Sequence, residues 1–241
     1  MPNPTVALIG DSYVSSWKTW TQNLQKKLPG YSFRILGKGG SNQFYAINQW
    51  RQEISGPAAD KLDTVFFTFT WPRRLYHSHM YRNDQICAYS ELRDLSQYGP
   101  DPVIKSKEDV IKFKESLDNY YRYIFDSTWS DFDYELELKW ILDLPAQYPH
   151  IKFIFLPNHA QARHLAKKYF HHGLLVDFAF EEISNREPNS PGPMQVNCGR
   201  PGHMNPTNHE LFAERMVPLI LDYERYRNKI LEFDLSGFDI V

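Results

Sequence analysis

Residues 5–12 read TVALIGDS, and the fold turns on them. TVALI is a short, fully apolar, β-branched run of the kind that forms a strand buried on both faces. It stops at Gly10, and the next segment carries a helical period. Trp17, Trp20, Leu24 and Leu28 recur at steps of three and four, which predicts a helix over 15–28 with one apolar face. Lys26 and Lys27 lie in its last turn and Pro29-Gly30 end it.

The same alternation continues outward. Residues 31–36 (YSFRIL) predict a second strand, followed by a glycine turn over 37–40 and a helix around 44–54. Residues 64–70 (TVFFTFT) predict a third strand, rich in β-branched and aromatic side chains. Residues 71–106 are polar, aromatic and turn-rich, with Tyr98-Gly99-Pro100-Asp101-Pro102 among them. They read as the start of an insertion over one end of the sheet. Helical stretches follow near 107–125 and 134–144, then a fourth strand at 151–156 (IKFIFL) and a fifth near 174–180. Four prolines between 188 and 201 make 185–202 a loop. Asn205-Pro206 has the cap-and-first-turn signature of a helix start. The final helix carries Leu211, Phe212, Met216, Leu219 and Ile220 on one face, and Pro218 should kink it.

Strands alternating with helices imply a mainly parallel sheet covered on both faces. The expectation is one α/β domain over 1–241, three layers deep and flavodoxin-like. It has a five-stranded sheet and a helical insertion over about 71–135 after the third strand. Ligands of such sheets bind beyond the carboxyl ends of the strands. That directs attention to the loops at 10–12, 37–42, 70–74 and 157–159.

Composition limits the possibilities. The 241 residues are 42% hydrophobic and 23% charged, with a formal net charge of −2. No global electrostatic attraction to nucleic acid or an anionic membrane follows from that balance. No apolar run reaches the ~20 residues of a membrane span, and no basic-then-apolar leader opens the sequence; a cytoplasmic protein is expected. Cys87 and Cys198 form neither a metal nor a redox motif. His77, His79, His171 and His172 form close pairs without an acid or thiol at ligand spacing, so no metal and no cofactor are expected. The chain is rich in aromatics, with 15 Tyr, 16 Phe and 6 Trp. They suit a core as well as sugar stacking.

Two places can carry chemistry. Gly10-Asp11-Ser12 lies between a strand and a helix. There a serine can stand at the tip of a tight turn, with helix amides nearby to meet a developing oxyanion; Asp11 and Ser12 also suit simple helix capping. His203 precedes the last helix in Gly202-His203-Met204-Asn205-Pro206. Histidine is the usual base for a serine at neutral pH.

Together these residues resemble the SGNH (GDSL) hydrolase superfamily, piecemeal but along the whole chain. VALIGDS (6–12) is similar to the block that presents the nucleophile. Gly37-Lys38-Gly39-Gly40-Ser41-Asn42 is similar to the second block, and HMNPTNHELFA (203–213) to the block holding the catalytic histidine. The resemblance implies ester hydrolysis, commonly of an acetyl or acyl ester on a sugar or lipid. It makes Ser12 the nucleophile and His203 the base, with Ser12 and Gly40 as oxyanion donors and Asp11 and Asn42 beside the substrate.

This sequence departs from the pattern twice. The stretch after the third strand, Thr68-Phe69-Thr70-Trp71-Pro72-Arg73-Arg74, lacks the usual oxyanion asparagine, leaving the Thr70 hydroxyl, or the charge of Arg73 or Arg74, as candidate replacements. Arg200 stands three residues before His203, where the family has its aspartate. Arg73, Arg74 and Arg200 would then favour an anionic substrate such as an acidic glycan ester. The alternatives are an O-acyltransferase, or a non-catalytic glycan-binding or structural relative.

Overall fold

The computed structural model describes residues 3–14, 20–37, 41–57, 59–70, 75–76, 85–86, 112, 115–116, 119–120, 122–124, 126–184 and 204–239. Its centre is a parallel sheet of β1 (Thr5–Ile9), β2 (Ser32–Ile35), β3 (Leu62–Phe69), β6 (Lys152–Pro157), β7 (Leu174–Asp177) and β8 (Lys229–Glu232). The strand order is β2-β1-β3-β6-β7-β8 and every neighbouring pair is parallel. The helices are α1 (Trp20–Lys27), α2 (Gln43–Ser55), α3 (Ser127–Leu142), α4 (Leu144–Gln147), α5 (Ala160–Tyr169), α6 (Pro206–Leu221) and α7 (Tyr223–Tyr226). A two-residue antiparallel pair, β4 (Leu75–Tyr76) with β5 (Gln85–Ile86), stands apart from the sheet.

The flavodoxin-like α/β expectation holds, with one correction. The sheet has six strands, not five, and it is parallel throughout. The added strand, β8, is half charged and mostly exposed. An edge strand has only one neighbour to satisfy, so it needs no apolar run and shows no strand period. The third helix begins at Ser127, capped by the Asp126 carboxylate, seven residues before the apolar period suggested. Of the expected insertion, 71–135, only β4, β5, the scattered residues and the start of α3 are described. The expected helix at 107–125 falls almost wholly outside the described residues, as do 15–19, 38–40 and 185–203.

Alternation along the strands builds two cores. Val6, Leu8, Phe66, Ile154 and Leu156 face one side, where Trp20 and Leu24 of α1 and Phe212, Met216 and Ile220 of α6 pack. Ala7, Ile9, Val65, Phe67, Phe153 and Phe155 face the other, under Ile47 and Trp50 of α2 and Leu138 and Ile141 of α3. All these side chains are almost fully buried. The period of two in β1 and β3 thus anchors both layers, and it leaves only the strand ends for polar groups. Pro218 lies inside α6, which runs on to Leu221.

Candidate functional site

The strands β1 and β3 are central neighbours, and the chain leaves them toward opposite outer layers. The order of connection reverses between them, and the carboxyl ends at such a switch point are where sheets of this kind bind ligands. The β1 end is shaped by Gly10, at φ +153°. A Cβ there would lie 2.6 Å from Cβ of Thr68 on β3, so only glycine lets the two strands stay this close.

Ser12 follows in a single 3-10 turn, Ser12–Val14, and is half-buried. The turn is held from below by Asp11, whose side chain is fully buried. Its Oδ1 accepts from Tyr13 N at 3.1 Å, and its Oδ2 accepts from Asn158 Nδ2 at 3.0 Å. Asp11 O also accepts from Val14 N. Asn158 is the first residue past β6, and its own carbonyl accepts from Glu181 N. The loops after β1, β6 and β7 are therefore joined in one hydrogen-bonded chain.

At these strand ends lies a set of buried polar side chains: Ser41, Asn42, Gln43, Thr68, Thr70, Asn158 and His159. Asn42 caps α2, with Oδ1 accepting from Tyr45 N at 2.9 Å. Ser41 Oγ donates to Gly10 O at 3.1 Å. Thr70 has its whole backbone held. Its N–H donates to Gln43 Oε1 at 2.9 Å, and its carbonyl accepts from Tyr134 OH at 2.6 Å. His159 Nε2 lies 3.1 Å from the same carbonyl. His159 Nδ1 accepts from Ala162 N at the start of α5, so the ring proton sits on Nε2, which donates to Thr70 O. Among the described residues, Gln43 Nε2, Thr68 Oγ1, Thr70 Oγ1 and Asn158 Oδ1 are buried without a hydrogen-bond partner. Buried orphans of this kind are rare in folded proteins and each is costly. All four lie on residues at or next to the ends of β3 and β6 or the start of α2.

On the other side of Ser12, the entry to α6 is docked against the same turn. Trp20 Nε1 donates to Tyr13 O at 2.7 Å, and Trp20 N donates to His209 Nδ1 at 3.1 Å. The Tyr13 ring stacks on Phe180 at 4.6 Å. Tyr13 and Met204 belong to one buried cluster with Phe180 and Phe212. Asn205 caps α6 as its sequence suggested, with Oδ1 accepting from Asn208 N at 2.7 Å. Asn208 Nδ2 donates to Ile183 O, so the two ends of the 185–203 segment are tied together.

Of the residues singled out from sequence, Asp11, Ser12, Asn42 and Thr70 lie at this one rim. Gly40, Arg73, Arg74, Arg200 and His203 lie outside the described residues. Tyr134, Asn158, His159 and Gln43 belong to the site and were not singled out. The loop at 157–159 was marked as a strand end; Gln43 and Tyr134 read from sequence as ordinary helix positions. Among the described residues, no group of three or more His, Cys, Asp or Glu side chains could hold a metal ion. No helix among them is long and apolar enough to cross a membrane.

Glu137, one turn beyond Tyr134 on α3, is half-buried. Burial, helped by Asp133 one turn earlier, pushes its carboxyl up to about 7.

The class these features define is an α/β protein with a flavodoxin-like parallel sheet and a cluster of buried polar side chains at its switch point. No family model matches the chain, and no curated protein matches it. Its structure is similar to that of LAE5, an alpha/beta hydrolase enzyme from the metagenome of Lake Arreo, Spain. That likeness has 14% identity and a TM-score of 0.46, and covers 90% of this chain and 94% of that one. It is also similar to a catalytic mutant of Axe2, an acetylxylan esterase from Geobacillus stearothermophilus (14% identity, TM-score 0.44, 91% and 96% covered). A second Axe2 variant covers 100% of this chain and 99% of that one at 16% identity and a TM-score of 0.42.

Proposed function

We propose that the chain is a serine esterase of the SGNH kind, with Ser12 as nucleophile and His203 as base. One observation carries the reading: Ser12 rides on a buried, hydrogen-bonded turn at the sheet's switch point, near buried side-chain atoms that have no hydrogen-bond partner among the described residues. A capping serine needs no such support. The docking of Tyr13 against Trp20, and of Trp20 against His209, supports the meeting of the two partners. The residues following Ser12 and His203, Tyr13 and Met204, share one core cluster.

In this reading Ser12 Oγ attacks the acyl carbon while its proton passes to His203. The bond from carbon to the alcohol oxygen breaks, and His203 returns the proton to the departing alcohol. Water then attacks the acyl-serine by the same route, releasing the acid and freeing Ser12. The amides of Ser12 and Gly40 and the Thr70 hydroxyl stabilise the oxyanion. The substrate is a small acyl ester, an acetyl group on a carbohydrate being the first choice. Arg73, Arg74 and Arg200 favour one with negative charge nearby; alanine at 73 and 74 together then raises KM for acidic acetylated sugars and leaves neutral ones unchanged.

Turnover of short-chain aryl esters and acetylated sugars tests the reading. Wild type should hydrolyse acetyl esters, and Ser12→Ala and His203→Ala should each lose at least ~1,000-fold in kcat. A folded wild type with no activity above that of Ser12→Ala contradicts it.

A further inference from the structure

The Gln43 carboxamide has two ends, and only one is used within the protein. A backbone N–H can only donate, so the atom 2.9 Å from Thr70 N must be the carboxamide oxygen. The opposite end is therefore the NH2 group. It is buried on a residue that is 1% exposed, and no described group accepts from it. The Thr70 hydroxyl, on the residue that Gln43 grips, is in the same condition. Leaving two buried donors unsatisfied at one spot is destabilising. A fold bears such a cost where an acceptor arrives later.

The fold sets where that acceptor would be. Ser41 bonds the end of β1 through Gly10 O, and Gln43 bonds the end of β3 through Thr70 N. Residues 41–43 thus bridge the ends of β1 and β3. Ile9 pairs with Phe67 in the sheet, and Ser12 and Thr70 each lie three residues beyond that pair. The backbone that orients the carboxamide is itself held in place. The Thr70 backbone it holds is fixed by Tyr134 OH and His159 Nε2, and His159 is itself fixed by Ala162 N.

We propose that Gln43 is a catalytic residue: its Nε2 donates to the oxyanion that forms when Ser12 attacks the ester. It thereby supplies a side-chain amide donor that the segment after β3, which has no asparagine, does not. Tyr134 and His159 are positioning residues acting through Thr70. This assignment rests on the esterase reading above.

Gln43→Glu is the sharpest test, because it keeps an oxygen for Thr70 N and replaces only the NH2. Acetyl-ester kcat should fall on the order of 100- to 1,000-fold, with KM within about threefold; the buried carboxyl should lower the thermal midpoint, so the assay is run well below it. Gln43→Ala, which loses both ends, should lose at least as much kcat and also some stability. The rate at which a fluorophosphonate labels Ser12 should fall with kcat in both variants, because its phosphoryl oxygen occupies the same place. Labelling and turnover by Gln43→Glu within twofold of wild type overturn the assignment and leave the esterase reading standing. Should Gln43→Glu fail to fold, unchanged labelling of folded Gln43→Ala overturns it equally. A wild type that neither turns over nor labels at Ser12 ends the esterase reading and this assignment with it.

Discussion

Asn158 donates from Nδ2 to Asp11 Oδ2 at 3.0 Å, across 147 residues of sequence, with both side chains fully buried. The residue before Ser12 is therefore held by the residue after β6, not only by its own turn. Asn158→Ala removes this donor from a buried carboxylate. The expected cost is about 1–3 kcal/mol, or several degrees in the thermal midpoint for a domain of this size. Thermal unfolding followed by circular dichroism checks it; an unchanged midpoint would show that the bond contributes nothing.

Gly10 is the second constraint on the same turn. Alanine there meets both a backbone angle that side chains avoid and a 2.6 Å approach to the Thr68 Cβ. Gly10→Ala should cost ~3 kcal/mol or more. Denaturant titration reads this directly, and a loss below about 1 kcal/mol is inconsistent with the geometry.

Trp20 ties the turn that carries Ser12 to α6, giving its indole N–H to Tyr13 O and its backbone N–H to His209. Trp20→Phe keeps a ring against Phe66 and Phe212 and removes the first bond. Stability should fall by about 1–3 kcal/mol, and labelling of Ser12 should slow relative to wild type. Equal labelling rates in wild type and Trp20→Phe would separate the Tyr13 bond from the presentation of Ser12.

Glu137 makes stability pH-dependent in a defined direction. Its carboxyl is raised from 4.5 to about 7 in the folded chain, so between those values the folded state holds more protons than the unfolded one. Stability from this group is intact below pH ~4.5 and is lost as pH rises toward 7 and beyond. Glu137→Gln should raise the midpoint at pH 8 by ~1 kcal/mol, about 2–4 °C, and leave it unchanged near pH 4. An effect of equal size at both pH values would rule out titration as the cause.

The legible part of the sequence was the part governed by apolar period. TVALI and TVFFTF have one reading only, and β1 falls at Thr5–Ile9 as expected. Elements without an apolar run escaped. KILE forms β8 because β7 offers it a free edge. The α5 helix, AQARHLAKKY, packs through two alanines, Ala162 and Ala166, which leave no stripe to see. The site divides in the same way. Ser12 stood out because Gly-Asp-Ser follows a strand. Gln43, Tyr134, Asn158 and His159 gain meaning only when β1, β3 and β6 bring their ends together, and no local spacing encodes that.

The most direct test is the intact mass of the protein after reaction with a fluorophosphonate, with the modified peptide then sequenced. The prediction is a single adduct, located at Ser12, absent from Ser12→Ala and strongly slowed in His203→Ala. A folded protein that stays unmodified, or an adduct on a different serine that persists in Ser12→Ala, would contradict a nucleophile at the β1 end.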